Sequence, residues 1–116
     1  MPRASSKSDV FSAIADPRRR QIIDLLSRRR GVAVGAIVLA LGLAQPAVSK
    51  HLGVLREVGI VTVTKLGRSR VYDLNFDQLR TIQDWVQMLE KHWGRQLDRI
   101  RARAEQRAAR ASGTPE

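Results

Sequence analysis

The stretch that decides the fold is Gln45-Pro46-Ala47-Val48-Ser49-Lys50-His51-Leu52-Gly53-Val54-Leu55-Arg56-Glu57-Val58-Gly59. A proline near the start suits a first helical turn, where its missing N–H costs nothing, and Gly59 supplies a left-handed stop. Between them Val48, Leu52 and Leu55 fall on one stripe at i, i+4 and i+7, with Val58 flanking it near the end. Gln45, Pro46, Ser49, Lys50 and Gly53 fall elsewhere, and none of them is a large apolar group. The helix therefore has a packing side and an open side of small, polar and cationic residues. Such a side suits close approach to the edges of DNA bases, and it suits an ordinary surface helix equally well. The neighbouring segments have to decide.

Upstream, Val34–Leu41 reads as a short apolar helix, weakened by Gly35 and closed by Gly42. Only Leu43 and Ala44 separate it from the next helix, so the pair is a helix-turn-helix candidate. Downstream, Ile60–Leu66 is β-branched and alternating, Gly67-Arg68-Ser69 makes a turn, and Arg70–Asn75 returns with Val71, Tyr72 and Leu74. The tip of this hairpin is basic, with Lys65, Arg68 and Arg70. Basic tips also blunt edge strands. Directly after a helix-turn-helix, however, an arginine-tipped hairpin is the layout of a winged helix, whose wing lies along the phosphate backbone.

Toward the N-terminus, residues 1–8 read as a loose basic arm, and Asp9–Ala15 as a short amphipathic piece with Val10, Phe11 and Ile14 on one side. Asp16-Pro17 pairs a helix-capping residue with a first-turn proline. The helix they open reaches about Ser27 on Ile22, Ile23, Leu25 and Leu26, and Arg28-Arg29-Arg30-Gly31 ends it. Toward the C-terminus, Leu79, Ile82, Val86, Leu89, Trp93, Leu97 and Ile100 step by three or four residues through one long helix from Asp77 to about Arg110. Trp85 widens that stripe. One such helix exceeds what a small winged domain needs to close its own core, and two tryptophans on it predict a surface shared with a second copy. The expected dimer interface is Phe11, Ile82, Trp85, Val86, Leu89, Trp93 and Leu97; the alternative is a ligand pocket between the long helix and the domain body. The expected fold is mainly α with a two-stranded β wing, a winged helix-turn-helix with a long C-terminal helix for dimerisation. Residues 9–100 form the DNA-binding and dimerisation domain, and 101–116 a basic helix end and tail.

Composition agrees. The chain has 116 residues, no cysteine, and 21 Lys and Arg against 11 Asp and Glu, a formal charge of +10 that favours a polyanionic partner. The longest apolar stretch, Val32–Leu41, is far short of the roughly 20 residues of a membrane span. Met1–Val10 shows no apolar core of a signal peptide, so a soluble, cytoplasmic protein is expected. Nothing supports an enzyme: there is no nucleophile–base pairing, no phosphate loop, and just two histidines. Without cysteines there is neither a disulfide nor a thiolate metal site.

These segments together resemble the ArsR-type winged-helix transcriptional regulators of bacteria, over roughly Val10 to Ile100. The matching pieces are Ala15-Asp16-Pro17-Arg18-Arg19-Arg20 leading into Ile22–Leu26, Gln45 to Leu52 with Leu55-Arg56-Glu57-Val58-Gly59-Ile60-Val61, and the wing Gly67-Arg68-Ser69-Arg70-Val71-Tyr72-Asp73-Leu74. Asp84-Trp85, Trp93 and Leu97-Asp98-Arg99-Ile100 are similar to a cysteine-free branch. The resemblance implies a homodimer that docks two recognition helices in successive major grooves of an imperfect palindrome, about 34 Å apart, and represses promoters including its own. It implies groove contacts from Gln45, Pro46, Ser49 and Lys50. His51 divides between DNA contact and helix packing, Arg56 goes to a phosphate, and Lys65, Arg68 and Arg70 belong to the wing.

The sequence departs from the family where its best-known members sense metals. Val34-Gly35-Ala36-Ile37-Val38-Leu39-Ala40-Leu41 has no thiolate, and the last helix offers His92 with Asp84 and Glu90 at spacings that do not repeat the family's His–carboxylate pattern. No metal site and no cofactor are expected. Ala44, where the family often has Ser or Thr as a cap, gives up about 1 kcal/mol. The rival readings are a non-specific architectural DNA binder, an activator, and a regulator answering a non-metal ligand.

Overall fold

A computed structural model describes residues 9–112, as five helices and three strands. The predicted basic arm, residues 1–8, lies outside the described residues, as do residues 113–116. The chain divides into two compact units, Met1–Ile82 and Gln83–Glu116.

In the first unit, α1 (Asp9–Ile14) and α2 (Pro17–Arg28) are separated by Ala15 and the extended Asp16, whose Oδ1 accepts from the amides of Arg18 at 2.7 Å and Arg19 at 3.4 Å. The second and third of the three arginines after the proline turn back on α1. Arg19 Nε donates to Ala13 O at 2.6 Å, and Arg20 Nη1 donates to Ile14 O at 2.7 Å and Ala15 O at 3.1 Å. A helix end leaves its last carbonyls without partners, and cations there also meet the negative end of the helix dipole. Two of the three consecutive arginines are therefore engaged in holding the α1–α2 corner.

A two-residue strand, β1 (Val32–Ala33), leads into α3 (Val34–Leu41); α4 (Gln45–Glu57) follows, and the two helix directions differ by 113°. That angle is in the range of helix-turn-helix pairs. Helix α4 buries Val48, Leu52 and Leu55, none more than 1% exposed, against Ile22 and Leu26 of α2, Ile37 of α3, and Ile60 and Val61. Burial of side chains of this size contributes about 1.5–3 kcal/mol each. The whole core is aliphatic.

The end of α4 explains how the chain turns into the sheet. Gly59 takes φ +83°, its N–H donates to Arg56 O at 3.0 Å, and Ile60 N donates to Leu55 O at 2.9 Å. This is the paired Schellman closure, with Leu55 and Ile60 both fully buried beneath it. A Cβ on Gly59 would stand 3.0 Å from Gln78 Cγ in addition to the left-handed strain. Gly59→Ala should therefore lose about 1–2 kcal/mol of stability, read as a lower midpoint in urea; an unchanged midpoint would mean the corner relaxes freely.

Strands β2 (Val61–Leu66) and β3 (Ser69–Leu74) pair antiparallel from Val61↔Leu74 to Leu66↔Ser69. The connection is the two residues Gly67 and Arg68, with Gly67 alone at positive φ, +62°. That is the type II′ pattern, which matches the twist of the flanking strands. The sheet order is β1-β3-β2, so the wing gains a third strand that sequence patterning did not show: Val32 faces Tyr72 and Ala33 faces Val71. Gly31 N donates to Asp73 Oδ1 at 2.7 Å and ties the end of α2 to the same strand.

The last helix, α5 (Phe76–Ser112), has 37 residues. Its first turns belong to the first unit, where Leu79 and Ile82 pack against the core. The second unit is the remainder. There Trp85, Val86, Leu89, Trp93, Leu97 and Ile100 are all exposed, Trp93 at 62%. Among the described residues no single helix is long and apolar enough to cross a membrane.

Candidate nucleic-acid interface

The open side of α4 is what its packing side leaves over. With Val48, Leu52 and Leu55 buried, Gln45, Pro46, Ser49, Lys50, Gly53 and Arg56 are all exposed. Gln45, Ser49, Gly53 and Arg56 form a row along the helix about 16 Å long, with Pro46 and Lys50 beside it. Nothing bulky stands in its middle. The first turn carries no side-chain cap, because the residue before it is Ala44, and Pro46 has no N–H to satisfy.

Gly53 has no reason in the fold to be glycine: a Cβ there would meet nothing within 4 Å. Glycine in a helix interior costs about 1 kcal/mol relative to alanine. An unexplained glycine at the centre of the open face fits a surface on which another molecule comes close. Gly53→Ala is expected to raise stability by up to about 1 kcal/mol and to weaken DNA binding. Denaturation and DNA titration on the same variant check this, and a gain in both would remove Gly53 from the interface.

His51, the next residue along, is turned differently. It is half-buried, and its Nδ1 lies 3.4 Å from Arg19 Nη1, the guanidinium that also holds the end of α1 and sits 3.8 Å from Asp16 Oδ2. The contact is with Arg19 of α2. Burial pushes the Asp16 carboxyl up, but hydrogen bonds from the Arg18 and Arg19 amides and the charges of Arg19 and His51 outweigh it and hold the group below its ordinary range. A carboxylate lowered on folding stabilises fully at neutral pH, and this contribution is lost as pH falls through the carboxylate range. Asp16→Asn, which keeps a capping oxygen, should flatten the acid limb of melting temperature against pH. An acid limb identical to the parent's would show that the charge at Asp16 contributes nothing.

The hairpin supplies the second part of the surface. Lys65 and Arg70 stand directly opposite each other in the register, Arg68 occupies the turn between them, and all three are exposed. Like charges facing across two strands are unfavourable in the free protein and favourable once an anion lies over them. Helix α4 packs against β2, so the open face and the basic tip belong to one unit. Arg28, Arg29 and Arg30 are exposed beside the outer face of the hairpin, lining a cleft of ≈ 740 Å³ with Thr64, Leu66 and Phe76. Arg28 is partly occupied by Asp24, at 3.2 Å.

The family pattern for "Bacterial regulatory protein, arsR family" matches residues 16–63, from the cap of α2 through α4 into β2. The transcriptional repressor SdpR of Bacillus subtilis is 32% identical over 79 residues, covering 68% of this chain and 87% of SdpR. The chain belongs to the ArsR family. Among solved structures, the ArsR-like transcriptional regulator from Rhodococcus sp. RHA1 superposes with a TM-score of 0.70 at 26% identity, over 86% of this chain and 93% of that one. The homodimeric winged helix-turn-helix DNA-binding domain Mb0332 (fragment 1–100) from Mycobacterium bovis gives 0.62 at 29% identity, over 77% and 82%. This ArsR-family protein is thus a DNA-binding transcriptional regulator of winged helix-turn-helix fold, in a family of regulators rather than enzymes.

The α3 segment carries no sulfur ligand, and among the described residues no three His, Asp or Glu stand together in a group that would hold an ion. His92 is exposed on α5.

Proposed function

We propose that this ArsR-family regulator is a homodimeric repressor that reads an imperfect palindrome near its own promoter. One α4 enters each of two successive major grooves, and the hairpin lies along the adjacent backbone. The observation that carries this reading is the clean division of α4 into three fully buried aliphatic residues and an open row of Gln45, Ser49, Gly53 and Arg56 with Lys50 beside it, next to a hairpin tip of three cations. Gln45 bonds adenine, Lys50 takes guanine acceptors or a phosphate, and Ser49 suits either base edge. Arg56, Lys65, Arg68 and Arg70 take phosphates and set the register.

The dimer is supported by the apolar seam of α5, Val86, Leu89, Trp93, Leu97 and Ile100, which the single chain leaves exposed. In the first unit an apolar cleft of ≈ 340 Å³ lined by Ile14, Ile23, Leu79 and Ile82 adds to the uncovered apolar surface. Phe11 is half-buried on α1. Repression is the activity named for SdpR, and homodimerisation that named for Mb0332. No thiolate takes part in regulation here, because the chain has no cysteine.

Mobility shift on the DNA upstream of the protein's own gene, across a salt series and with excess unrelated competitor, tests the reading. A shift that survives competitor and maps to an inverted repeat is expected. Equal loss of binding on every sequence would instead favour the second reading, an architectural DNA binder, for which the charge of +10 speaks.

A further inference from the structure

We propose that the distal part of α5 is a second nucleic-acid contact, in which Arg95, Arg99, Arg103 and Arg107 lie along the phosphates of duplex DNA without reading sequence. The inference rests on the DNA-binding reading above and adds a surface to it. From Arg101 to Ala111 the helix contains no apolar side chain larger than alanine, and every residue is exposed. It has nothing to pack, and isolated helices of this length are marginal in water. Yet the four arginines repeat at every fourth position, so they form one row with about 6 Å of rise per step and 18 Å in all. Neighbours at that spacing repel each other. Among the described residues none of the four has an ion-pair partner.

The two acids in this segment, Asp98 and Glu105, flank Arg101 at three and four residues, on a line of their own. The row also crosses the line that the apolar seam leaves: seven residues beyond Ile100 stands Arg107. A second copy of the chain does not suit this part of the helix, since it brings the same charge. A lipid surface suits it poorly, because no Trp, Phe or Leu stands in the helix between Ile100 and Ser112 to enter the interface. A duplex carries one charge per about 1.7 Å of axis, and arginine grips phosphate through two hydrogen bonds where lysine offers a point charge.

The test uses the full chain and a duplex of about 40 base pairs with random sequence, titrated by fluorescence anisotropy between about 50 and 200 mM salt. Replacing all four residues (R95Q, R99Q, R103Q, R107Q) should lower the slope of log affinity against log salt by about 3.6 per protomer. The matching four-lysine variant should restore most of it, and circular dichroism on both variants reports whether the helix persists. A glutamine variant that is still helical and keeps the parent's slope would overturn the proposal. So would loss of binding to vesicles of anionic lipid with an unchanged DNA slope. If the parent chain showed no salt-dependent binding to any duplex, the DNA-binding reading would fall with it. If instead a hairpin variant (K65Q, R68Q, R70Q) lowered the slope and the row variant did not, only the second contact would be lost.

Discussion

Replacing Ser49 and Lys50 together by alanine is expected to abolish sequence-specific DNA binding while leaving the fold and the dimer in place. Both side chains are exposed, and among the described residues neither makes a side-chain hydrogen bond, so removing them touches no core contact. The buried stripe that orients α4 comes from other residues, Val48, Leu52 and Leu55. A good base contact contributes about 1–3 kcal/mol of discrimination. A dimer presents each contact twice, so the double variant should lose about a thousandfold or more on its operator and fall to the level set by phosphate contacts. Its salt dependence should change little, because the hairpin cations remain. A double variant that still protected the same operator would move the recognition helix elsewhere in the chain.

The second large effect is on α5. Leu89→Gln with Trp93→Gln should convert the dimer to a monomer in sedimentation experiments. The expected loss of operator affinity is about 10²–10⁴, because the second half-site is no longer bound intramolecularly. Leu89 is 45% exposed and Trp93 62% exposed in the single chain, so these changes remove no buried contact within it. Helical content should stay close to the parent's. If the variant sedimented as an intact dimer, the interface would lie instead on the first unit, around Phe11 and the apolar cleft of Ile14, Ile23, Leu79 and Ile82.

Much of this was legible in the amino-acid sequence, because the deciding features are local. The spacing of Val48, Leu52 and Leu55 names the buried side of α4, and all three are buried. Gly59 and Gly67 mark the stop of α4 and the hairpin turn, and both have positive φ. What escaped the reading is set by contacts between distant residues. Val32-Ala33 becomes a strand only because Tyr72 and Val71 stand opposite, and two residues carry no alternation to detect. Arg18-Arg19-Arg20 reads as a run of charge, yet Arg19 and Arg20 are bound to the carbonyls of α1. The same guanidinium stands 3.4 Å from His51 Nδ1, a contact across 32 residues that spacing does not show. The open row of α4 was visible as a pattern; that Gly53 is unexplained by the fold became visible only with the space around it.

The central claim, that α4 reads the major groove of two half-sites, is tested most directly by methylation protection of guanine N7, an atom that faces only that groove. On the operator fragment bound to the intact protein, two short protected patches are expected, centred about one helical turn, ~34 Å, apart and related by the inverted repeat. They should disappear with the Ser49 and Lys50 double variant. Guanines that stay fully reactive while the DNA is bound, or uniform protection along the fragment, would contradict it.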